Sequence, residues 1–214
     1  KKLESKFEWC EFIFNEENKG YTAGNNVGIE KALREGADLV TLLNNDVIVD
    51  SKFLHPLVET VTKEPNVGAV GPLILGCDGS IESFGGKINM WTGSHHFPHH
   101  GKDPTNVDLR ENLVGYLSGA CLLVDSEVIQ DVGMLDEDFF IYGDDVEFSH
   151  RIRGAGYNLK TNPRSKVWHK EHGSSPSTGT LPSAFVLRHQ TRSNILFMKK
   201  NASCYHWLVY LPAH

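Results

Sequence analysis

Three stretches hold side chains whose types and spacing could do chemistry. The densest is Tyr142-Gly143-Asp144-Asp145-Val146-Glu147, which puts three carboxylates within four positions behind Phe139 and Phe140. Two adjoining acids raise each other's proton affinity, and a carboxylate tuned toward neutral pH can take the proton of an attacking hydroxyl. If a helix starts near Asp144, all three acids fall in its first turn, where unpaired N–H groups and the helix dipole favour negative charge. A purely structural acidic helix start is the competing reading.

The second stretch is Asn44-Asn45-Asp46, directly after the apolar run Leu39-Val40-Thr41-Leu42-Leu43. A carboxylate at the end of a buried strand can bind a hard divalent cation, and such a cation can bridge the phosphates of a nucleotide diphosphate. An Asx turn that only satisfies its own backbone is the alternative. The third is His169, after the short apolar Lys166-Val167-Trp168. A neutral imidazole there can complete an oxygen-rich metal site, and a structural histidine is the alternative. The cluster His95-His96-Phe97-Pro98-His99-His100 lacks neighbouring acids. It reads as a solvent- or substrate-facing loop, with zinc a minor option.

The elements that must position these residues are legible from periodicity. Phe7 to Phe14 has strand composition, and a helix runs from about Tyr21 through Gly24, Asn25 and Asn26 to Gly36. Asp38–Leu43 reads as a strand buried on both faces, followed by a helix over Lys52–Lys63 and a strand over Val67–Leu75. Gly76 to Ile88 resembles one Gly-rich hairpin, and Trp91 to Asn112 a long loop. Then follow an apolar stretch Val114–Val124, helices over Ser126–Val132 and from Asp145, strands Tyr157–Thr161 and Lys166–His169, a biased loop Gly173–Pro182 and a helix Ala184–Lys200. Alternating helices and strands imply an α/β fold with a doubly wound, mostly parallel sheet flanked by helices, plus a small antiparallel hairpin.

Bulk properties limit the function classes. The chain has 214 residues with 40% hydrophobic and 22% charged side chains, enough for one sizeable core. Its formal charge of −6 argues against nucleic acid as a partner, since that needs a basic surface. Cys10, Cys77, Cys121 and Cys204 form no metal or disulfide pattern and read as reduced thiols, with Cys121 in the core. No signal peptide or membrane span is expected, and Cys204 to Leu211 reads as an apolar docking element.

In order, Asn18-Lys19-Gly20-Tyr21, Gly24-Asn25-Asn26-x-Gly28, Leu42-Leu43-Asn44-Asn45-Asp46, Gly119-Ala120-Cys121-Leu122, Val132-Gly133-Met134-Leu135-Asp136-Glu137-x-Phe139-Phe140, Tyr142-Gly143-Asp144-Asp145-Val146-Glu147-x-x-x-Arg151 and His169 with Ser174-Ser175 make a specific set. The chain, from about Asn15 to Lys200, resembles the family 2 glycosyltransferases, especially the rhamnosyltransferase-like branch. The resemblance implies the glycosyltransferase A fold and inverting transfer from a nucleotide-diphosphate sugar donor to a saccharide or lipid-linked saccharide acceptor in cell-envelope polysaccharide synthesis. It also implies Mg²⁺ or Mn²⁺.

Carried over by position, Asp145 matches the catalytic base, with Asp144 in the place usually held by glutamate. Asp46 matches the last acid of the metal motif, whose first acid is here Asn44, and His169 would complete the metal site. Gly24, Asn25, Asn26, Asn44, Asn45 and Asp46 would face the donor. Gly119, Ala120, Tyr142, Glu147 and Arg151 would face the sugar and acceptor. On this resemblance the chain begins after the family's base-binding strands, residues 1–200 are the catalytic domain and 201–214 a separate docking segment. The expected location is cytoplasmic, with peripheral association at the inner face of the plasma membrane as its extension. Two rivals stand beside it: a nucleotidyltransferase, which would need a Gly-rich phosphate loop, and a truncated, inactive binding or assembly module.

Overall fold

The computed structural model describes residues 4–170 and 183–207. The elements in order are α1 (Gly20–Arg34), β1 (Leu39–Leu43), β2 (Val47–Val49), α2 (Leu54–Lys63), β3 (Val67–Leu75), β4 (Ile81–Ser83), β5 (Lys87–Asn89) and β6 (Ser94–His96). A 3-10 turn at Pro104–Asn106 leads to β7 (Asn112–Leu113), β8 (Cys121–Asp125), α3 (Ser126–Val132), α4 (Asp144–Gly154), β9 (Asn158–His169) and α5 (Ala184–Asn201).

One sheet runs in the order β1-β8-β3-β9-β2, with β4 added to β3 and β7 to β9. Strands β1, β3 and β9 share a direction, which is the parallel core that alternating helices and strands imply. Strand β8 enters reversed between β1 and β3, so the parallel ladder is β3 with β9, whereas β1 and β3 each pair antiparallel with β8. Strand β3 is buried at all nine positions, as its unbroken apolar run requires. Helices α1, α3 and α4 cover one face, where Ile29, Val128, Ile129, Phe148 and Ile152 join Val40, Leu122, Val124 and Leu159 in the largest core cluster. Helix α2 covers the other face through Leu57 and Val61 against Val67, Val70 and Leu123.

Several expectations are corrected. Phe7 to Phe14 forms no strand, and Trp9 and Phe14 are 83% and 70% exposed, because strand-forming composition needs a neighbouring ladder and none is offered there. The single hairpin over Gly76–Ile88 is two structures: Gly76–Ser80 turns β3 into β4, and β5 pairs instead with β6. The loop from Trp91 to Asn112 is therefore partly built, with β6, the 3-10 turn and the start of β7 inside it. The two strands expected at Tyr157–Thr161 and Lys166–His169 are one, β9, with residues 163–165 bulged out where the register jumps from Pro72↔Asn162 to Leu73↔Lys166. Pro163 lacks a ladder donor, which suits it to that bulge.

The loop Gly173–Pro182, with Ser174 and Ser175, lies outside the described residues, as do residues 208–214. The described part of the expected docking segment packs on its own chain, with Tyr205 and His206 rings 5.6 and 4.8 Å from Trp91. No helix among the described residues is long and apolar enough to cross a membrane.

Candidate active site

Parallel direction puts the C-terminal ends of β1, β3 and β9 at one edge of the sheet, where open α/β folds assemble their ligands. The start of the reversed β8 lies at the same edge because Leu43 is paired with Cys121. Consequently the turn after β1 and the turn before β8 touch: Asn44 N–H donates to the Ala120 carbonyl at 3.0 Å. Gly119, one residue earlier, donates its N–H to Asp145 Oδ2 at 3.0 Å and accepts the Tyr21 hydroxyl on its carbonyl at 2.6 Å. Gly119 and Ala120 thus join the Asn44–Asp46 turn to the acidic start of α4.

Helix α4 begins in an unusual way. Tyr142 has φ 64° and Gly143 φ 77°, two successive left-handed residues. For tyrosine this costs about 1–3 kcal/mol and persists only where surroundings enforce it, a pattern common at functional sites. The surroundings here are α1 and α5. Tyr21 N–H and the Thr22 hydroxyl donate to the carbonyls of Phe140 and Phe139 at 2.8 and 2.6 Å. From α5, Ser193 Oγ donates to the Ile141 carbonyl at 3.2 Å, and Arg192 to the Asp138 carbonyl at 2.9 Å. Gly20 is required at this junction, since its φ is +79° and a Cβ would lie 2.5 Å from the Phe140 ring.

Asp144 is buried at 5% exposure, while Asp145 is half-buried. Burial, reinforced by the neighbouring Asp145 charge, pushes Asp144 up to about 8. Burial also raises Asp145, against the N–H of Gly119 and the charge of His95, which pull it down. One of the two carboxyls therefore holds its proton near neutral pH, the coupled pair expected from the sequence.

At the far end of the same edge, Val47 is paired with His169 in the β2–β9 ladder, which draws Asp46 beside that histidine. Asp46 Oδ1 lies 3.3 Å from His169 Nε2 yet is buried with no hydrogen-bond donor of acceptable geometry. His169 Nδ1 is 2.7 Å from Glu82 Oε1 on β4. That hydrogen bond is the chief cause of a raised His169 pKa, which burial opposes. Among the described residues, no three His, Cys, Asp or Glu side chains converge to hold a metal unaided. An orphaned buried carboxylate oxygen facing an imidazole nitrogen nevertheless fits a divalent cation that takes its other ligands from a substrate.

Other expected site residues are placed differently. Asn26 is buried, and its amide is spent in a two-way bond with the Leu135 backbone at 2.9 and 3.0 Å and on Glu137 Oε1 at 3.0 Å. Asn25 donates to the Tyr21 carbonyl at 2.8 Å, and Gly24 faces open space. Glu147 and Arg151, expected to face the acceptor, are engaged with each other through two bonds of 2.7 and 2.9 Å. The same guanidinium caps the end of α3 at the Val132 and Met134 carbonyls, 2.7 and 2.8 Å away. Their geometry is that of a brace for α4, which leaves no donor or acceptor pair aimed at a sugar. Asn45 is exposed in the turn after β1.

Three functional candidates were not singled out from the sequence. Glu82 gave no signal, being one acid in a short polar strand. His95 was visible in the histidine cluster and Tyr116 in the Val114–Val124 stretch, without a link to Asp145. Their rings lie 5.8 Å apart, and His95 Nε2 and the Tyr116 hydroxyl are both buried without a partner. Burial raises Tyr116 and lowers His95, and each feels the Asp145 charge. Gly86 makes room for this arrangement, since a Cβ there would meet the Tyr116 ring at 2.0 Å. The rest of the cluster is a strap: His100 Nδ1 bonds the Glu82 carbonyl at 2.9 Å, and Gly101 N–H the Ile81 carbonyl at 2.8 Å.

Comparison with known proteins agrees with this architecture. The model of the family described as "Glycosyltransferase like family 2" matches residues 12–193. The chain is 31% identical over 173 residues to the N-acetylglucosaminyl-diphospho-decaprenol L-rhamnosyltransferase of Mycobacterium tuberculosis, covering 75% of this chain and 55% of that protein. It is 28% identical over 162 residues to the low-salt glycan biosynthesis hexosyltransferase Agl10 of Haloferax volcanii, covering 71% and 50%. The chain therefore spans about half the length of these relatives. Among solved structures, GalNAc-T7 with UDP, GalNAc and Mn²⁺ superposes with a TM-score of 0.68 at 17% identity, over 92% of this chain and 38% of that one. The mannosyltransferase PcManGT of Pyrobaculum calidifontis, with GDP-Man and Mn²⁺, gives 0.55 at 14% identity, over 95% and 50%. With the family model spanning most of its length and the sheet built as in these neighbours, the chain belongs to glycosyltransferase family 2 and has the glycosyltransferase A fold.

Proposed function

We propose that this chain is the catalytic domain of an inverting, metal-dependent glycosyltransferase. It moves a hexosyl or rhamnosyl unit from a nucleotide-diphosphate donor to a hydroxyl of a saccharide or lipid-linked saccharide, in cell-envelope polysaccharide synthesis. The observation that carries the reading is the orphaned Asp46 Oδ1 facing His169 Nε2 at the sheet edge that also bears Asp145. Asp46 and His169 would hold Mg²⁺ or Mn²⁺, which when bound supplies charge to neutralise the departing diphosphate.

Asp145 takes the proton of the acceptor hydroxyl, and the freed oxygen bonds to the anomeric carbon as the carbon–oxygen bond to the diphosphate breaks. The bonding pair leaves with the nucleoside diphosphate, and a single displacement inverts the centre. Both Asp145 oxygens accept backbone N–H groups, from Gly119 at 3.0 Å and Val146 at 2.9 Å, which hold the carboxylate while each oxygen keeps a second lone pair. Burial raises its pKa above the ordinary carboxylate range, which makes it a stronger base. On the acceptor side we assign His95 Nε2 and the Tyr116 hydroxyl in place of Glu147 and Arg151, because they are unpartnered polar atoms beside the base. Gly24, Asn25, Asn44 and Asn45 remain assigned to the donor side.

Peripheral contact with the inner face of the plasma membrane belongs to the same proposal, supported by Phe185, Leu187 and Ile195 of α5, each about half exposed. Calorimetry with uridine, thymidine and guanosine diphosphates, with and without Mn²⁺, tests the reading on the chain and on Asp46→Ala. Metal-dependent binding lost in the variant is the expected result. Metal-independent binding, or none, leaves the inert-module alternative standing.

A further inference from the structure

We propose that Glu82 is the positioning residue of the cation site, accepting a hydrogen bond from the Nδ1–H of His169 so that the ring turns Nε2 toward Asp46. The inference rests on the metal-dependent reading above and adds to it a residue from a third strand. A carboxylate can only accept, so the 2.7 Å contact between Glu82 Oε1 and His169 Nδ1 requires the hydrogen to sit on Nδ1. In the neutral ring Nε2 is then an acceptor, and it faces another acceptor, Asp46 Oδ1, at 3.3 Å. Two acceptors facing each other at that distance repel unless a proton on Nε2 or a metal ion bound by both offsets them, and a divalent cation can take both as neighbouring ligands. Glu82 Oε2 is likewise buried with no hydrogen-bond partner.

Glu82 is well held for this task. Its strand β4 pairs with the end of β3, and β3 pairs with β9 so that Leu75 lies opposite both Ile81 and Trp168, the residues next to Glu82 and His169. On the outer side, the Lys102 backbone carbonyl accepts the Ile81 N–H at 2.8 Å, and His100 Nδ1 holds the Glu82 carbonyl at 2.9 Å. A hydrogen bond of this kind fixes ring orientation and raises the basicity of the ligating nitrogen, and its loss typically weakens metal affinity about ten- to a hundredfold.

The test is Mn²⁺ titration followed by electron paramagnetic resonance on the wild-type chain, Glu82→Gln, Glu82→Ala and His169→Ala, with the melting temperature of each metal-free protein. Expected is Mn²⁺ affinity reduced about ten- to a hundredfold in Glu82→Ala and less in Glu82→Gln, whose side-chain carbonyl still accepts from Nδ1. His169→Ala should bind weakest. A merely structural residue would lower the melting temperature and leave the affinity of the folded protein intact. If Glu82→Ala does not fold, the isosteric Glu82→Gln decides alone, by an affinity below or equal to wild type. Wild-type affinity in the folded glutamate variants overturns the role of Glu82 and spares the cation site. Absence of Mn²⁺ binding in the wild-type chain overturns the cation site and this inference together.

Discussion

Asp145 Oδ2 accepts the backbone N–H of Gly119 at 3.0 Å, which ties the first turn of α4 to the turn that precedes β8. The bond spans 26 residues of sequence and fixes where the carboxylate stands relative to the ends of the strands. An asparagine can make the same bond through its carbonyl, giving up the second one from Val146 N–H, but cannot take a proton. Asp145→Asn is therefore expected to keep the fold and nucleoside diphosphate binding while lowering sugar transfer by about 10²–10⁴-fold, the usual contribution of a general base. Transfer rates with a panel of nucleotide sugars, set beside calorimetric binding, check this. A variant with near-normal turnover removes Asp145 from the role.

Burial makes Asp144 a source of pH-dependent stability. Its pKa is raised from the ordinary 3.8 to about 8, so the unfolded chain gives up this proton more readily than the folded one. The contribution is full below about pH 4, declines as pH rises toward 8 at up to about 1.4 kcal/mol per pH unit, and is gone above. Asp144→Asn carries no such proton. The stability of the variant relative to wild type should therefore grow steadily from pH 4 to pH 8, as read by urea unfolding at a series of pH values. A flat difference across that range contradicts a buried, proton-holding Asp144.

Asn26 behaves as a strand partner made from a side chain, pairing with both backbone groups of Leu135 across 109 residues. Replacing it with leucine strands the buried N–H and carbonyl of Leu135, each costing about 1–3 kcal/mol. Asn26→Leu should lower unfolding free energy by about 2–6 kcal/mol. Chemical denaturation measures it, and a loss below 0.5 kcal/mol would mean that water takes over both groups.

The Glu147–Arg151 brace should show non-additivity. Glu147 is 3% exposed, so Arg151→Met leaves a buried carboxylate without its cation at a cost of about 3–5 kcal/mol. Adding Glu147→Gln removes that charge, and the double variant is expected to recover part of the loss despite carrying one more substitution. Equal or greater destabilisation of the double variant would count against charge pairing as the source. Neither substitution should alter the Mn²⁺ dependence of nucleotide binding, since both side chains face α3.

Much of this was legible in the residues because it is written in local patterns. An unbroken apolar run reads as the buried β3 within any short window, and Asp46 after β1 or Asp144 and Asp145 opening α4 mark themselves by position relative to an element end. The expectation of a doubly wound α/β core rests on the same alternation of helix and strand, and that of the glycosyltransferase A fold on the resemblance of the ordered motifs. What the tertiary structure decided is pairing over distance. Glu82 finds His169 across 87 residues, and Asn26 finds Leu135 across 109, because strand register and helix docking bring them together. The reversal of β8, the failure of Phe7–Phe14 to become a strand and the fusion of two short strands into β9 are likewise outcomes of which edge was available to pair. A side chain's identity limits the bonds it can make; the partner it meets depends on a register that no short stretch of sequence contains.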